Sequence, residues 1–415
     1  MPRLQRDIKG AALGQLSPLL GKSILLVLSS LRGKPQCGIP AHGFVRVRCA
    51  SCGHDRMVAF SCKRRGWCPS CCGRRMADSA AWLVDRVFPW VPVRQWVLSV
   101  PFGLRYRMAF DAGLMADVSA TFARVVLAEL RRRARTLNVA GQSQGGAVTF
   151  VQRFGSALNL NVHFHMIALD GVYAAEGERA PVFLELEPPE DADVVRVATL
   201  TAGRILRLIE RRGWHEEADR LWQQDPGLAQ LYSAAVQGRI EEGPRRGQRL
   251  GRLGGDRIDG DSVDALAASP RCASVSGFSV HANTAIPAGD RQRLERLCRY
   301  AARPPLAADR LSRLTNGKLR YELKRPWSDG TTAVVFEPDD LLAKLAALVP
   351  APRVHLTRFY VRFYGVLVPA AAWRPQISPT ACAATPFIRD ATVVPGRSVP
   401  GSPCRSTEPT PKAEL

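Results

Sequence analysis

The chain has 415 residues and 46% of them are hydrophobic, so we expect two or three domains with buried cores. Its 58 Lys and Arg residues exceed its 37 Asp and Glu residues, and the net charge of +21 favours a polyanionic partner. No apolar window of about 18 residues occurs, which argues against a transmembrane helix and a membrane partner. The first ten residues, MPRLQRDIKG, do not resemble a signal peptide, so we expect a cytoplasmic protein.

Residues 1–35 contain an amphipathic helical pattern and form a separate N-terminal segment. A cluster of cysteines follows, because seven of the 11 lie between Cys37 and Cys72. In a reducing compartment such a cluster indicates metal binding and not a disulfide framework.

Two Cys-x2-Cys pairs, fifteen residues apart, have the spacing of a four-cysteine zinc ribbon, which we place at residues 36–76. The predicted ligands of this structural Zn2+ are Cys49, Cys52, Cys68 and Cys71. Other groups within reach could replace a ligand or form a second site, and these are Cys37, His42, Cys62 and Cys72.

Basic residues surround the second pair and alternate with Phe60 and Trp67. Guanidinium groups contact phosphates and aromatic rings stack on bases, so this pattern predicts a DNA-binding surface. Its basic residues are Lys63, Arg64, Arg65, Arg74 and Arg75. The alternative is a solvated face of the ribbon with a small aromatic core.

The pattern after the ribbon predicts a helix over 76–88, a strand over 93–100, a helix over 117–137, a flexible loop over 141–146 and a strand over 147–154. The next stretch, NLNVHFHMIALDGVY from Asn159 to Tyr173, has the alternation of a buried strand. Its short connection to the strand before it implies antiparallel pairing. We therefore expect an α+β fold with a central antiparallel sheet flanked by helices.

Two histidines, His163 and His165, point to the same face of this strand with one bulky apolar residue between them. Their imidazoles could converge on a single metal ion. A pair of structural histidines on a half-buried strand is the alternative.

A second candidate lies in the helical stretch DRQRLERLCRYAARPP. Its apolar stripe comprises Leu294, Leu297, Cys298 and Ala301, and Tyr300 falls about 120° away from the stripe. We expect the basic neighbours of Tyr300 to bind DNA and to bring a phosphate close to its hydroxyl. These neighbours are Arg293, Arg296 and Arg303. A surface tyrosine without a chemical role is the alternative.

Residues 178–275 form an elaboration with helical periodicity over 193–237 and a flexible, Arg-rich and Gly-rich loop over 243–261. A strand over 276–283, a hairpin with turns at Asn316-Gly317 and Ser328-Asp329-Gly330, and a helix over 339–348 follow. The pair Tyr360 and Tyr364 lies in a strand-like sequence and is interpreted as a packing feature. Residues 374–415 are rich in Pro, Ser and Thr and predict a disordered tail.

Several motifs occur in an order that resembles the rolling-circle transposases of the insertion-sequence-91 family, over residues 35–370. They are FSCKRRGWCPSC, QWVLSVP, VQRFGSALNLNVHFHMIALDGVY and LCRYAARPPLAADRL. The resemblance implies a zinc-binding module followed by a catalytic domain of the HUH endonuclease class over 77–373, where U is a bulky hydrophobic residue.

In that class the HUH motif, here His163-Phe164-His165, holds one divalent cation, Mg2+ or Mn2+, and a tyrosine, here Tyr300, attacks the scissile phosphate to give a 5′-phosphotyrosine. The resemblance also implies single-stranded element ends and target DNA as partners, and a nucleoid-associated protein.

One position departs from the family pattern, which has two tyrosines four residues apart. Arg296 stands four residues before Tyr300. A second protomer of a homo-oligomer, a free 3′-OH or another tyrosine would then carry out the second cleavage. Asp170 and Glu295 are candidates for a third cation ligand. The alternative functions are an HUH replication initiator or relaxase, and a catalytically inactive zinc-ribbon DNA-binding protein.

Overall fold

The computed structural model describes residues 44–48, 55–59, 69–137, 141–177, 179–213, 222–254, 269–349 and 360–379. The strands are β1 (Phe44–Arg48), β2 (Asp55–Ala59), β3 (Val93–Ser99), β4 (Gln142–Gln144), β5 (Gly146–Phe154), β6 (Leu160–Leu169), β7 (Gly171–Ala175), β8 (Val182–Glu185), β9 (Gly251–Leu253), β10 (Cys272–Val275), β11 (Phe278–Ile286), β12 (Leu311–Arg313), β13 (Leu319–Glu322), β14 (Ala333–Phe336) and β15 (Val361–Gly365). The α-helices are α1 (Pro69–Arg86), α2 (Phe102–Phe110), α3 (Ala112–Arg135), α4 (Asp191–Arg211), α5 (Pro226–Val236), α6 (Arg291–Ala301), α7 (Pro338–Leu348) and α8 (Arg374–Ile377).

The centre of the fold is a six-stranded sheet with the order β10-β11-β3-β6-β5-β15. Every neighbouring pair in it is antiparallel. Strand β6 lies inside this sheet, and the short connection from β5 gives the antiparallel neighbour that the sequence predicted. The prediction of a mixed fold with a central antiparallel sheet is confirmed.

Helices cover both faces of the central sheet. On one face, Phe164 and Met166 of β6 belong to a core shared with Phe122 of α3 and Ile205 of α4. On the other face, Ile167 belongs to a separate core shared with α1 and α6. This division follows from the alternation of β6, because successive side chains of a strand point to opposite faces.

Helix α6 begins at a capping aspartate, since the Asp290 side chain accepts a hydrogen bond from the backbone N–H of Arg293 at 3.0 Å. Its buried residues are Leu294, Leu297, Cys298 and Ala301. This is the stripe predicted from the helical wheel. The helix ends at Ala302, just before two prolines that cannot continue it.

The described ranges also contain three smaller antiparallel sheets. A two-stranded sheet joins β1 to β2, a three-stranded sheet has the order β4-β7-β8, and a four-stranded sheet has the order β12-β13-β14-β9. The predicted hairpin around residues 316–336 is confirmed, because β13 pairs with both β12 and β14. Within the described chain, no helix is both long and apolar enough to cross a bilayer.

Two segments predicted as flexible loops contain strands. Residues 142–144 form β4, which pairs with β7, and residues 251–253 form β9, which pairs with β14. Both prediction errors have one cause. Partners far away in sequence supply the hydrogen bonds of these short strands, and the local Gly-rich pattern carries no sign of them.

The described structure also extends past the boundary predicted at Trp373 and includes helix α8. Ile377 of α8 is buried against the core that contains α1 and α6. The Arg374 guanidinium donates to the backbone carbonyls of Leu367 and Arg86 at 2.9 and 3.0 Å, which ties this short helix to the domain. Residues 380–415, where the rest of the predicted tail falls, lie outside the described residues.

Candidate catalytic site

Strand β6 places the two histidines side by side. The ring centroids of His163 and His165 are 5.0 Å apart, and the planes of the rings are inclined by 65°. His165 is buried, while His163 is partly exposed. The strand therefore presents one enclosed imidazole and one at the edge of the solvent.

Hydrogen bonds orient both rings through their Nδ1 atoms. His163 Nδ1 lies 2.9 Å from the carbonyl oxygen of Asn161, which can only accept, so this nitrogen carries the proton. The Nε2 atom of His163 then presents its lone pair. The Nε2 atom of Gln95 lies 2.8 Å from Nδ1 of His165, so in this orientation the amide donates and Nε2 of His165 carries the proton. Rotation of the amide by 180° would place its oxygen against Nδ1 and give His165 the same tautomer as His163.

Burial keeps both imidazoles neutral at pH 7. Desolvation lowers the pKa of His163 to about 4, although its hydrogen bond to Asn161 acts in the opposite direction. The pKa of His165 also lies well below its ordinary value, because burial, His163 and the positive charge of Arg303 all disfavour the imidazolium. A neutral imidazole is the form that binds a metal ion.

The predicted tyrosine meets these histidines in space. The ring of Tyr300 contacts the ring of His165 edge to face, with 5.5 Å between the centroids and 89° between the planes. Tyr300 is 37% exposed. Two cations lie against its ring, with the Arg303 guanidinium 4.7 Å and the Lys324 Nζ 4.8 Å from the ring centroid. Residues from β6, α6 and the hairpin thus converge on one phenol.

Gln152 of β5 connects the histidines to the helix of Tyr300. It lies directly opposite His163 in the antiparallel register, where Cβ atoms are about 5 Å apart, and its side chain is buried. Its Nε2 donates to the backbone carbonyls of Tyr300 and Ala301 at 3.0 and 2.9 Å. Its Oε1 and the Nε2 of His165 are buried atoms without a hydrogen-bond partner in the described structure. Such orphaned atoms fit a ligand of the site.

The two carboxylates considered as a third metal ligand are engaged elsewhere. Asp170 accepts two hydrogen bonds from the Arg94 guanidinium, at 3.0 and 2.7 Å, and stands five strand positions, about 16 Å, beyond His165. Glu295 accepts from Arg299 one turn along α6. In the described part of the chain, no three His, Cys, Asp or Glu side chains cluster as a metal site. The polar side chains beside these histidines include the amides of Gln95 and Gln152.

The described members of the predicted DNA-binding set lie on α1, on α6 and directly after α6. Arg75 and Arg303 line a cavity of about 100 Å³ between α1, β5 and the segment after α6. Arg293 and Arg296 are exposed on α6, and Arg74 is half-buried on α1. Three of the predicted basic residues lie outside the described residues, and these are Lys63, Arg64 and Arg65.

The predicted zinc ligands fall almost entirely outside the described residues. This holds for Cys49, Cys52 and Cys68, and also for Cys37, His42 and Cys62. The backbone of Cys71 lies in the first turn of α1. The β1 and β2 strands flank the first Cys-x2-Cys pair, since their last pairing joins Arg48 to Asp55.

The second tyrosine pair has a different environment. Tyr364 lies on β15 at the edge of the central sheet, and its hydroxyl forms a 2.9 Å hydrogen bond with the hydroxyl of Ser119. Burial raises the pKa of Tyr364 above its usual value. Tyr360 and Tyr364 both pack against the large core, which supports their interpretation as packing residues.

Sequence reasoning missed Gln95, Gln152 and Lys324. A polar residue inside an otherwise apolar strand was the available signal for Gln152, which stands in AVTFVQRF. Its register against His163 was not readable from either strand alone. Lys324 carried no local signal, because it follows β13 by two residues and reaches Tyr300 only through the fold.

Comparison with known families gave two matches. Residues 146–372 match the family Y2_Tnp, described as "Putative transposase", and residues 27–100 match the transposase zinc-binding domain of the insertion-sequence-91 type. Neither the curated proteins nor the solved structures gave a match. The first match covers more than half of the chain and includes β5, β6 and α6, and the second covers both Cys-x2-Cys pairs. A zinc-binding module precedes a transposase domain, and the chain therefore belongs to the insertion-sequence-91 family of transposases.

Proposed function

We propose that this transposase cuts and rejoins single-stranded DNA through a covalent bond between Tyr300 and a 5′-phosphate, as in the HUH endonuclease class. The observation that carries the proposal is the edge-to-face contact between Tyr300 and His165 beside a second neutral imidazole. A half-exposed phenol next to two cation-binding groups is an arrangement suited to nucleophilic attack on a phosphate.

The residues at the site fit a divalent cation. Nε2 of His163, Nε2 of His165 and Oε1 of Gln152 would hold it, and two of these atoms are otherwise buried without partners. A bound Mg2+ or Mn2+ would polarise the scissile phosphate and offset the charge on the leaving oxygen. The amide oxygen is a hard ligand that suits either ion, and the imidazoles favour Mn2+ over Mg2+.

The protein side chains account for the remaining chemistry. The Tyr300 hydroxyl loses its proton and its oxygen forms a bond to phosphorus, while the bond from phosphorus to the 3′-oxygen breaks and that oxygen takes up a proton. Arg303 and Lys324 place positive charge beside the attacking phenol, where the phosphate must sit. The phosphotyrosine bond keeps the energy of the broken bond, so a 3′-OH can reverse the step without ATP.

The element ends and the target are the proposed DNA partners. Zn2+ bound by Cys49, Cys52, Cys68 and Cys71 would hold the N-terminal ribbon, in agreement with the zinc-binding match over 27–100. The hydroxyl of Tyr364 is bound to Ser119, so this tyrosine is a poor candidate for the second cleavage. That step is assigned to a free 3′-OH or to a second protomer.

The test is a covalent-adduct assay. Purified protein is incubated with labelled single-stranded DNA carrying the element end and Mn2+, and the products are separated on a denaturing gel. Wild type should give a protein-DNA band that Tyr300→Phe abolishes and the matched control Tyr364→Phe retains. A band that persists in Tyr300→Phe would reject this nucleophile. DNA binding by wild type without a band would favour the binding-only alternative.

A further inference from the structure

A groove lined by arginines lies between helices α3 and α4, on the opposite side of the central sheet from the histidines. Its volume is about 570 Å³. The described lining residues are Thr121, Arg124, Arg204, Arg207, Leu208, Glu210 and Arg211. Four arginines therefore share one groove with a single acidic residue.

The arrangement of the two helices explains why these arginines face each other. The helices are antiparallel, because Arg212 after the end of α4 pairs with Asp111 and Asp117 at the start of α3. At the other end, Arg132 of α3 pairs with Asp193 in the first turn of α4. Between these two ion-paired ends, the groove's charged lining residues are four arginines and one glutamate, Glu210.

The groove arginines have no acidic partner among the described residues. Arg124 donates to the Thr121 hydroxyl and Arg211 donates to the carbonyl of Arg207, and neither contact neutralises a charge. All four arginines are exposed. At the helix ends, Arg132 and Arg133 of α3 and Arg212 after α4 pair with aspartates, whereas the four groove arginines do not. Several like charges at close range repel one another, and an anion relieves that repulsion.

The residues that line the groove indicate which part of a nucleic acid it can bind. No aromatic side chain occurs among the described lining residues, so the groove offers no platform for stacked bases. Arg204, Arg207 and Arg211 lie on one helical face over about 10 Å, a length along which one strand of duplex DNA carries about three phosphates. This pattern suits the phosphate backbone of a duplex.

We propose that this groove binds the backbone of duplex DNA that flanks the cleaved strand, as a second DNA-binding surface separate from the Tyr300 site. The inference rests on the proposed function only in taking DNA as the substrate. The sheet and one helical layer, itself about 10 Å thick, separate the groove from the histidines. Duplex bound there would have to pass around the domain to supply the single strand at Tyr300.

The experiment measures binding of a fluorescein-labelled 30-base-pair duplex of arbitrary sequence by fluorescence anisotropy, over a series of salt concentrations. The variant is Arg204→Glu/Arg207→Glu in the full chain. Its affinity should fall at least about tenfold at low salt, and the slope of log affinity against log salt should become shallower by about 2, since two phosphate contacts are lost. Thermal unfolding checks that the variant is folded.

The matched control is Arg179→Glu/Arg196→Glu, which changes the net charge equally at two exposed arginines outside the groove. It should lower the affinity less and leave the salt slope near that of wild type. Equal effects of the two double variants would overturn the proposal, because they would show only a response to net charge. The covalent-adduct assay with Tyr300 tests the cleavage mechanism independently of the groove. If wild type forms no adduct but Arg204→Glu/Arg207→Glu still lowers duplex affinity as expected, only the cleavage mechanism is rejected.

Discussion

Tyr300 and Tyr364 occupy contrasting surroundings within one domain. Tyr300 lies on a helix, more than a third exposed, with His165, Arg303 and Lys324 around its ring. Tyr364 lies on a strand with its hydroxyl bound to Ser119 and its pKa raised by burial. The Tyr-x3-Tyr spacing of Tyr360 and Tyr364 resembles the family pattern more closely, yet the neighbours of Tyr300 are those that a nucleophile needs. The chemistry of a tyrosine depends on what surrounds its hydroxyl.

The largest effect is expected on removal of the His165 imidazole, which contacts the ring of Tyr300. His165→Ala should weaken Mn2+ binding by more than about 100-fold, beyond the range typical of outer-shell changes, and should abolish the covalent adduct. Titration calorimetry measures the first effect and the denaturing gel the second.

His281→Ala is the matched control for His165→Ala. His281 lies on β11 opposite Val97, and Val97 lies opposite His165, so the two histidines share a face about 10 Å apart. His281→Ala should leave Mn2+ affinity near the wild-type value. Equal losses of Mn2+ affinity in His165→Ala and His281→Ala would contradict a metal site at His165 beside Tyr300.

The local pattern of the sequence was sufficient to predict much of this site. The alternation of β6 placed His163 and His165 on one face, and the helical wheel placed Tyr300 off the buried stripe, because both depend only on short periodicities. The pairing register is a long-range property. Gln95 and Gln152 reach the histidines from two different strands, and Lys324 reaches Tyr300 from beyond a hairpin. No short window of sequence contains those relations.

A smaller effect is expected at Gln152, which joins the proposed metal site to the helix of Tyr300. Gln152→Leu should weaken Mn2+ binding about tenfold and slow adduct formation, since both the ligand oxygen and the hydrogen bonds to Tyr300 and Ala301 are lost. Gln152→Glu separates these roles. Its carboxylate should bind Mn2+ at least as tightly as wild type while adduct formation stays slow, because a carboxylate cannot donate to those carbonyls. Normal adduct formation in Gln152→Glu would contradict the positioning role.

Two further predictions concern the pH dependence of stability, measured on metal-free protein with EDTA. The pKa of His163 is lowered to about 4 in the folded state, so below pH 6.5 the unfolded chain binds more protons and wild type loses stability. The variant His163→Gln has no imidazole at this position and does not lose stability in this way. The difference between its free energy of unfolding and that of wild type should therefore shift in favour of the variant as the pH falls from 6.5 to 4, by at most about 1.4 kcal/mol per pH unit.

Tyr364→Phe provides the contrast in the same experiment. It should cost about 1 kcal/mol through the lost hydrogen bond to Ser119. That cost should be constant from pH 4 to 8, because the phenol is protonated in both states. Chemical unfolding at several pH values measures both variants. If the loss of stability in Tyr364→Phe changed between pH 4 and 8, it would contradict the description of Tyr364 as a buried, protonated phenol bound to Ser119.

Strand β15, which carries Tyr364, is synthesised long after β5, the strand with which it pairs. Strand β15 forms the outer edge of the central sheet by pairing with β5, and the two are separated by roughly 200 residues of chain. At a ribosomal rate of 5 to 20 residues per second, β5 waits roughly 10 to 40 s for this partner. Throughout that interval the nascent protein carries an unpaired edge next to its histidine strand, which is a site for aggregation between neighbouring nascent chains.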